Sequence, residues 1–124
     1  MACRITELVL DCHDPRTVAE FWSQVLDYEI VDANDDESQI EIAPPAGTPS
    51  PISLLFVRSD DPKHDKLRLH IDLSPTDRDQ SEELARLERL GAKHIDIGQG
   101  QQTWVVLSDP EGHEFCLLAG RAEP

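Results

Sequence analysis

The pattern of hydrophobic and polar residues over 5–12 predicts a first β-strand, in which Thr6, Leu8, Leu10 and Cys12 form one face and the intervening residues form the other. Asp14 and Pro15 then mark a helix start, because aspartate accepts hydrogen bonds from the free amides of a first turn and proline is tolerated there. Three further strands are predicted over 28–31, 39–43 and 52–57, with a proline-rich loop at 44–51. The helix is indicated by an apolar stripe at helical spacing: Val18, Phe21, Trp22, Val25 and Leu26.

The second half of the chain has the same order of elements. Residues 67–73 alternate between an apolar set and the polar residues Arg68, His70 and Asp72, which predicts a strand with one apolar and one polar face. Asp79 and Glu82 resemble a capping box, and Gly91 suits the left-handed end of the helix that they start. The apolar stripe of this helix consists of Leu84, Leu87 and Leu90, and strands follow at 93–97, 103–107 and 114–119, the last two joined by a predicted type I turn at 109–112.

Each half therefore reads as one βαβββ module, which predicts an α+β fold with an internal duplication. We expect a single domain over 1–124, made of module 1–60 and module 65–124 with a charged connector between them. Two such modules can form a curved, cup-like mixed sheet with the helices outside and the polar face of 67–73 lining the hollow. The alternative is one α+β sheet whose polar face is open to water.

Composition narrows the classes of partner. The chain has 124 residues with 11 Lys and Arg against 25 Asp and Glu, a net charge of −14. This charge repels phosphate backbones and anionic membrane surfaces, so we expect neither nucleic acid nor membrane as a partner. Without an apolar run of roughly 18 residues or a signal-peptide pattern, a cytoplasmic location is predicted. Three cysteines without framework spacing (Cys3, Cys12 and Cys116) are typical of free thiols in a reducing compartment.

Four stretches resemble a known family. They are 10–15 leading to Phe21-Trp22, 69–73, 90–92, and 109–115, which reads Asp-Pro-Glu-Gly-His-Glu-Phe. Together they resemble the vicinal oxygen chelate superfamily, the group of glyoxalase I, extradiol dioxygenases and bleomycin-resistance proteins, and within it the glyoxalase-like branch. The resemblance covers nearly the whole chain. It implies paired βαβββ modules that enclose a small-molecule pocket, often within a homodimer.

The resemblance also implies four metal-ligand positions, one on the first strand and one on the last strand of each module. They correspond here to Glu7, to a strand that offers only Ser53 or a hydrocarbon, to His70 and to Cys116. Three protein ligands with an open position can hold a zinc ion. However, cysteine is a soft ligand, and an oxygen and nitrogen set suits octahedral iron, nickel or manganese better. We therefore expect no cofactor, with a divalent metal as the alternative.

Each candidate side chain also has a structural interpretation. His70 can be a hydrogen-bonded imidazole tied to Asp72, although its place on the polar face favours a pocket lining. Trp104 can form a flat apolar wall for a ligand. Buried packing is expected for Cys12, Cys116 and Trp22, a surface location for His13, His64 and His94, and no ligand role for His113.

The sequence thus predicts a glyoxalase-like protein that binds a small molecule between its modules without a metal. The acidic charge favours a cationic ligand. The alternatives are a metal-dependent lyase or isomerase of glyoxalase type acting on a small carbonyl compound, and a structural or regulatory dimer with a vestigial pocket. The predicted ligand-binding residues are Glu7, His70, Asp72, Trp104 and Cys116; we expect the first, second and last of these to hold a metal only if one is present.

Overall fold

A computed structural model describes residues 2–49, 52–96 and 98–123. The chain divides into two compact units, Met1–Pro62 and Lys63–Pro124, and their boundary lies within the predicted charged connector between the modules. Among the described residues, each unit contains one helix and a four-stranded mixed sheet in the order βαβββ, so the predicted α+β modules are confirmed. That the modules form one domain stays a prediction. Within the described residues, no helix has the length and apolar character that crossing a membrane requires.

The first unit consists of β1 (Glu7–Cys12), α1 (Pro15–Leu26), β2 (Glu29–Ala33), β3 (Gln39–Ala43) and β4 (Ser53–Arg58). Its sheet has the order β1-β4-β3-β2, with β1 parallel to β4 and the other pairs antiparallel. Asp14 caps α1, as predicted, by accepting from the Thr17 amide and hydroxyl, and Asp27 ends the helix in the left-handed conformation. Trp22 is 1% exposed, which confirms its place in the core.

The second unit consists of β5 (Ile71–Leu73), α2 (Gln80–Leu90), β6 (Lys93–His94), β7 (Val105–Ser108) and β8 (Glu114–Leu117). Its sheet has the order β5-β8-β7-β6, so β8 is an interior strand, parallel to β5 and antiparallel to β7. The capping box of Asp79 and Glu82 is present in full. Gly91 ends α2 with φ of 121°, and Leu87 is fully buried.

The predicted strand 67–73 is too long, because only Ile71–Leu73 form a strand. β5 pairs with β8 from Ile71 to Leu73, and β8 itself begins at Glu114, which leaves little strand beside the preceding residues. The amide of Leu67 instead donates to the Glu114 carboxylate. Leu69 is 68% exposed, so the expected continuous apolar face is also wrong at this end.

The other strand boundaries differ by smaller amounts. β1 starts at Glu7 rather than at residue 5, and the strand predicted over 103–107 begins only at Val105. The strand predicted over 93–97 is seen as Lys93–His94, and its predicted end, Ile97, lies outside the described residues. Residues 50 and 51 of the predicted loop, and residue 124 at the end of the sequence, also lie outside the described residues.

The end of α2 leads to a first prediction. At φ of 121°, a side chain at position 91 would strain the backbone, so Gly91→Ala is expected to lower the free energy of unfolding by about 1–2 kcal/mol. Urea unfolding followed by circular dichroism measures this. Gly120→Ala is the matched control, since no positive φ is found there and an added methyl group would meet nothing within 4 Å. Equal stability of the two variants would contradict the assigned helix end.

Candidate functional site

A pocket of about 300 Å³ lies in the second unit. Two neighbouring strands build its polar side. Asp72 on β5 is the register partner of Cys116 on β8, so their side chains leave the same face of the sheet. His70 lies two residues before Asp72 and shares that face by alternation. The residues that line the pocket are His70, Asp72, Gln99, Trp104, Cys116 and Leu118.

Asp72 interacts with both of the other polar side chains. The Nε2 atom of His70 lies 3.4 Å from Oδ1 of Asp72, and both side chains are roughly half exposed. Cys116 is only 7% exposed. Burial raises the pKa of its thiol, and the negative charge of Asp72 and a hydrogen bond with that carboxylate raise the pKa further. The protein alone therefore keeps Cys116 as a neutral thiol at neutral pH, which makes it a poor nucleophile.

The rest of the pocket lining is largely apolar. Trp104 precedes β7 and is 38% exposed, which is high for so large an apolar residue, and Leu118 follows β8. Gln99 comes from the irregular segment between β6 and β7. The pocket thus combines a flat aromatic surface with a carboxylate and an imidazole, an arrangement found in sites that hold small organic molecules.

Four of the five predicted site residues meet in this pocket: His70, Asp72, Trp104 and Cys116. The fifth, Glu7, lies on β1 in the first unit, where it is exposed and is the register partner of Ser53. Their role in ligand binding stays a prediction. Sequence reasoning missed Leu118, which strand alternation from Cys116 would have indicated, and Gln99, whose place between the predicted strands 93–97 and 103–107 carried no such signal.

The remaining candidates have structural positions. His13, His64 and His94 are exposed, and Cys12 and Cys116 are buried, as predicted. His113 is held beside Asp109, with its Nδ1 atom 2.7 Å from the nearer carboxylate oxygen. This contact belongs to the turn between β7 and β8. The sequence contained a signal for this contact, because Asp109 and His113 lie on either side of the turn residues Pro110 and Gly112.

Comparison with known proteins identifies the family. The sequence profile of the glyoxalase-like domain matches residues 7–118. The chain belongs to this family. No significant match to a curated protein is found. Similar solved structures include a mutant of the fosfomycin resistance protein FosX from Listeria monocytogenes, complexed with Mn(II) and 1S,2S-dihydroxypropylphosphonic acid. It is 18% identical, covers 97% of this chain and 92% of its own, and gives a TM-score of 0.70.

Two other solved structures have a similar fold. FosX from Mesorhizobium loti is 20% identical over 97% of this chain and 94% of its own, with a TM-score of 0.69. A possible glyoxalase from Bacillus cereus is 14% identical over 95% of this chain and 100% of its own, with a TM-score of 0.64. At these identities the likeness shows the fold alone. The profile match over residues 7–118 is what confirms the predicted glyoxalase-like family.

The donor atoms of this glyoxalase-like protein can be tested against a metal ion. One atom each from His70, Asp72 and Cys116 lies within 4.8 Å of the others. Nitrogen, oxygen and sulfur donors in this number fit a zinc site with one open position. They fit manganese less well, since it prefers oxygen-rich, octahedral surroundings. Asp72 was not among the predicted metal ligands, and the expectation of no cofactor stays a prediction.

Proposed function

We propose that this glyoxalase-like protein binds a small organic molecule in the pocket of its second unit. The observation that carries the proposal is that one pocket is lined both by an apolar wall, Trp104 and Leu118, and by a polar group, His70, Asp72 and Cys116. The wall gives affinity through contact area, and the polar group orients the ligand.

The charge of the lining indicates the class of ligand. None of the described residues that line the pocket is lysine or arginine, while Asp72 supplies a carboxylate. The whole chain carries a net charge of −14. A neutral or cationic ligand is therefore favoured, with its positive group near Asp72 and its apolar part on the face of Trp104. Such binding uses only protein side chains, so we propose that it does not require a metal.

Two probes of equal aromatic size test this proposal: phenyltrimethylammonium and phenylphosphonate, each titrated into chelator-treated protein. Tryptophan fluorescence reports binding, because Trp104 lines the pocket while Trp22 is buried in the first unit. We expect a saturable response to the ammonium probe and a much weaker one to the phosphonate. Asp72→Asn should weaken ammonium binding about fivefold, since a carboxylate near the surface contributes about 1 kcal/mol to a contact with a cation.

The controls separate local from general effects. Asp77→Asn removes the same charge at a position whose side chain is 70% exposed and should leave the affinity unchanged. Trp104→Phe should abolish the fluorescence response, because only Trp22 then remains to emit. A response that survives Trp104→Phe, or equal affinity for the two probes, would contradict the proposed pocket and its charge preference.

A metal-dependent lyase or isomerase is the second candidate, favoured by the convergence of three donor atoms. His70, Asp72 and Cys116 would hold the ion, which supplies a Lewis acid for a carbonyl oxygen. In that case Trp104 and Leu118 position the organic part of the substrate. Conversion of a small carbonyl compound by metal-loaded protein, lost with His70→Ala, would support the enzyme.

A further inference from the structure

We infer that Gln80 is a positioning residue for the pocket, because its side-chain amide holds the two members of the apolar wall, Trp104 and Leu118, at a fixed spacing. Gln80 is not among the described residues that line the pocket, so it acts through the backbone of the residues that do. The inference rests on the proposed function where ligand binding is concerned, whereas the position of Trp104 is measured without a ligand.

The Gln80 amide joins two segments that are distant in the sequence. Its Nε2 atom donates to the carbonyl oxygen of Thr103 at 2.9 Å and to the carbonyl oxygen of Leu117 at 3.2 Å. A glutamine amide carries two N–H donors, so each carbonyl takes one hydrogen. Both distances lie in the ordinary range of an N–H···O hydrogen bond. One side chain of α2 therefore links the segment before β7 to the end of β8.

Both carbonyls belong to peptide groups that lead directly into the apolar wall. The carbonyl carbon of Thr103 is bonded to the nitrogen of Trp104, and the carbonyl carbon of Leu117 is bonded to the nitrogen of Leu118. Because a peptide group is planar, a hydrogen bond that orients the carbonyl also orients the backbone of the next residue. Gln80 therefore acts on both members of the wall at once.

Trp104 depends on this contact more than Leu118 does. The Leu118 amide also donates to the Leu73 carbonyl at 2.8 Å, which ties it to β5. Trp104 lies just before β7, at the end of an irregular segment with positive φ at Gly98 and Gly100. Glycine loses more conformational freedom on ordering than any other residue, so such a segment gains most from an added contact. We therefore expect Trp104 to move when the contact is removed.

The helix cap fixes the other end of the contact. Gln80 is the first residue of α2, directly after the N-cap Asp79. The Asp79 carboxylate accepts from the Glu82 amide at 2.9 Å, and the Asp79 amide donates to the Glu82 carboxylate at 3.2 Å. A capping box of this kind satisfies two free donors and stabilises the first turn. The side chain of Gln80 thus reaches the two carbonyls from a backbone that is held in place.

Fluorine NMR of fluorotryptophan-labelled protein tests the position of Trp104 without a ligand. The chain has two tryptophans, and Trp22 in the core of the first unit is the internal reference. Trp104→Phe assigns the two signals. We expect Gln80→Met to shift the Trp104 resonance and to make Trp104 more accessible to quenching by acrylamide, with the Trp22 resonance unchanged.

The choice of variants separates the hydrogen bonds from the shape of the side chain. Methionine resembles glutamine in length and helix propensity but donates no hydrogen bond. Gln80→Glu also keeps the length, but it places a carboxylate against two carbonyl oxygens, so it should displace the Trp104 resonance further. Gln80 is half-buried, and circular dichroism establishes that each variant is folded.

Phenyltrimethylammonium tests whether the position of Trp104 matters for binding. Calorimetry measures the affinity, so that changes in tryptophan emission do not interfere. Gln80→Met is expected to weaken the probe about fivefold, the equivalent of about 1 kcal/mol, because the ligand must then order the Trp104 side chain itself.

Two control variants exclude general effects. Gln24→Met makes the same replacement in α1, where the amide donates to the Glu20 carbonyl of its own helix at 3.3 Å. Gly91→Ala strains the other end of α2 and leaves the contacts of Gln80 in place. Neither variant should alter the Trp104 resonance or the affinity for the probe.

A Trp104 resonance that stays in place in folded Gln80→Met, or that moves equally in Gly91→Ala, would overturn the inference. A shifted resonance with unchanged probe affinity would overturn the role of Gln80 in binding. If the wild-type protein does not bind the probe while Gln80→Met still shifts the resonance, the proposed function fails and the positioning of Trp104 stands.

Discussion

Asp109→Ala is expected to lower the free energy of unfolding by about 4 kcal/mol. The side chain is fully buried and accepts from the amides of Glu111 and His113 at 2.9 and 3.0 Å and from the His113 imidazole at 2.7 Å. A hydrogen bond to a charged group contributes about 1.5–3 kcal/mol. The cost of losing all three hydrogen bonds is smaller than the sum of their contributions. The turn residues are only half-buried, so water can reach the released amides. Urea unfolding followed by circular dichroism measures the change.

Graded variants test this explanation. Asp109→Asn keeps an oxygen for the amides but not the charge, and His113→Ala removes only the imidazole contact, so both should fall between wild type and Asp109→Ala. Pro110→Ala is the control in the same turn, with an expected cost of about 0.4–1 kcal/mol from added freedom of the unfolded chain. If Asp109→Ala cost no more than Pro110→Ala, the buried carboxylate would not stabilise the turn.

This turn matters for the site because it sets where β8 begins. The amide of Asp109 donates to the carbonyl of His113, and the amide of Gly112 donates back to the carbonyl of Asp109. Gly112, with φ of 91°, closes the three-residue loop in the left-handed conformation. β8 then runs from Glu114 in a fixed register with β5, which places Cys116 beside Asp72. The turn thereby positions the pocket without contributing to its lining.

Local signals in the sequence predicted the parts of the fold that depend on neighbouring residues. The caps at Asp14 and Asp79 and the glycine at 91 were read correctly, because each depends on side chains within one turn of helix. The turn at 109–112 was also predicted from neighbouring residues, since its type depends on the Asp, Pro and Gly within the turn itself. The repeated order of elements then gave the two modules.

Long-range pairing explains what the local patterns in the sequence did not predict. Asp72 joins Cys116 only because β5 and β8 pair with Asp72 opposite Cys116, 44 positions later in the chain. Nothing in residues 67–73 indicates this register, and a shift of one residue would turn Asp72 to the other face. The length of β5 was overestimated for a similar reason, since alternation shows which residues can form a strand and not where a neighbouring strand ends.

Lys63→Met is expected to lower the free energy of unfolding by about 3 kcal/mol at neutral pH. Glu114 is 6% exposed, and it pairs with the Lys63 ammonium at 2.8 Å and accepts from the Leu67 amide at 2.8 Å. Removing one partner of a buried ion pair typically costs about 3–5 kcal/mol, because the other charge stays buried without compensation. The lower end of this range is expected here, because the Leu67 amide still donates to Glu114 in the variant. Urea unfolding and the hydrogen-exchange rate of the Leu67 amide measure the effect.

Lys66→Met is the matched control. It replaces the same residue type three positions away in the same segment, where the described contact of the ammonium is a weak 3.4 Å bond to the Leu67 carbonyl. Its expected effect is within about 0.5 kcal/mol, as for most surface substitutions. If both variants lost equal stability, general charge rather than the Glu114 pair would be responsible.

The ion pair of Lys63 and Glu114 also makes the free energy of unfolding depend on pH. Burial alone would raise the pKa of Glu114, but the Leu67 amide and the Lys63 ammonium outweigh it and hold the pKa below the ordinary value of 4.5. The folded state therefore binds fewer protons than the unfolded state in this range. The contribution of Glu114 is complete above about pH 4.5 and is lost as the pH falls through the lower, folded pKa. Glu114→Gln, which can still accept from Leu67, should flatten the dependence of unfolding free energy on pH below 4.5, and an unchanged slope would show that other carboxylates produce it.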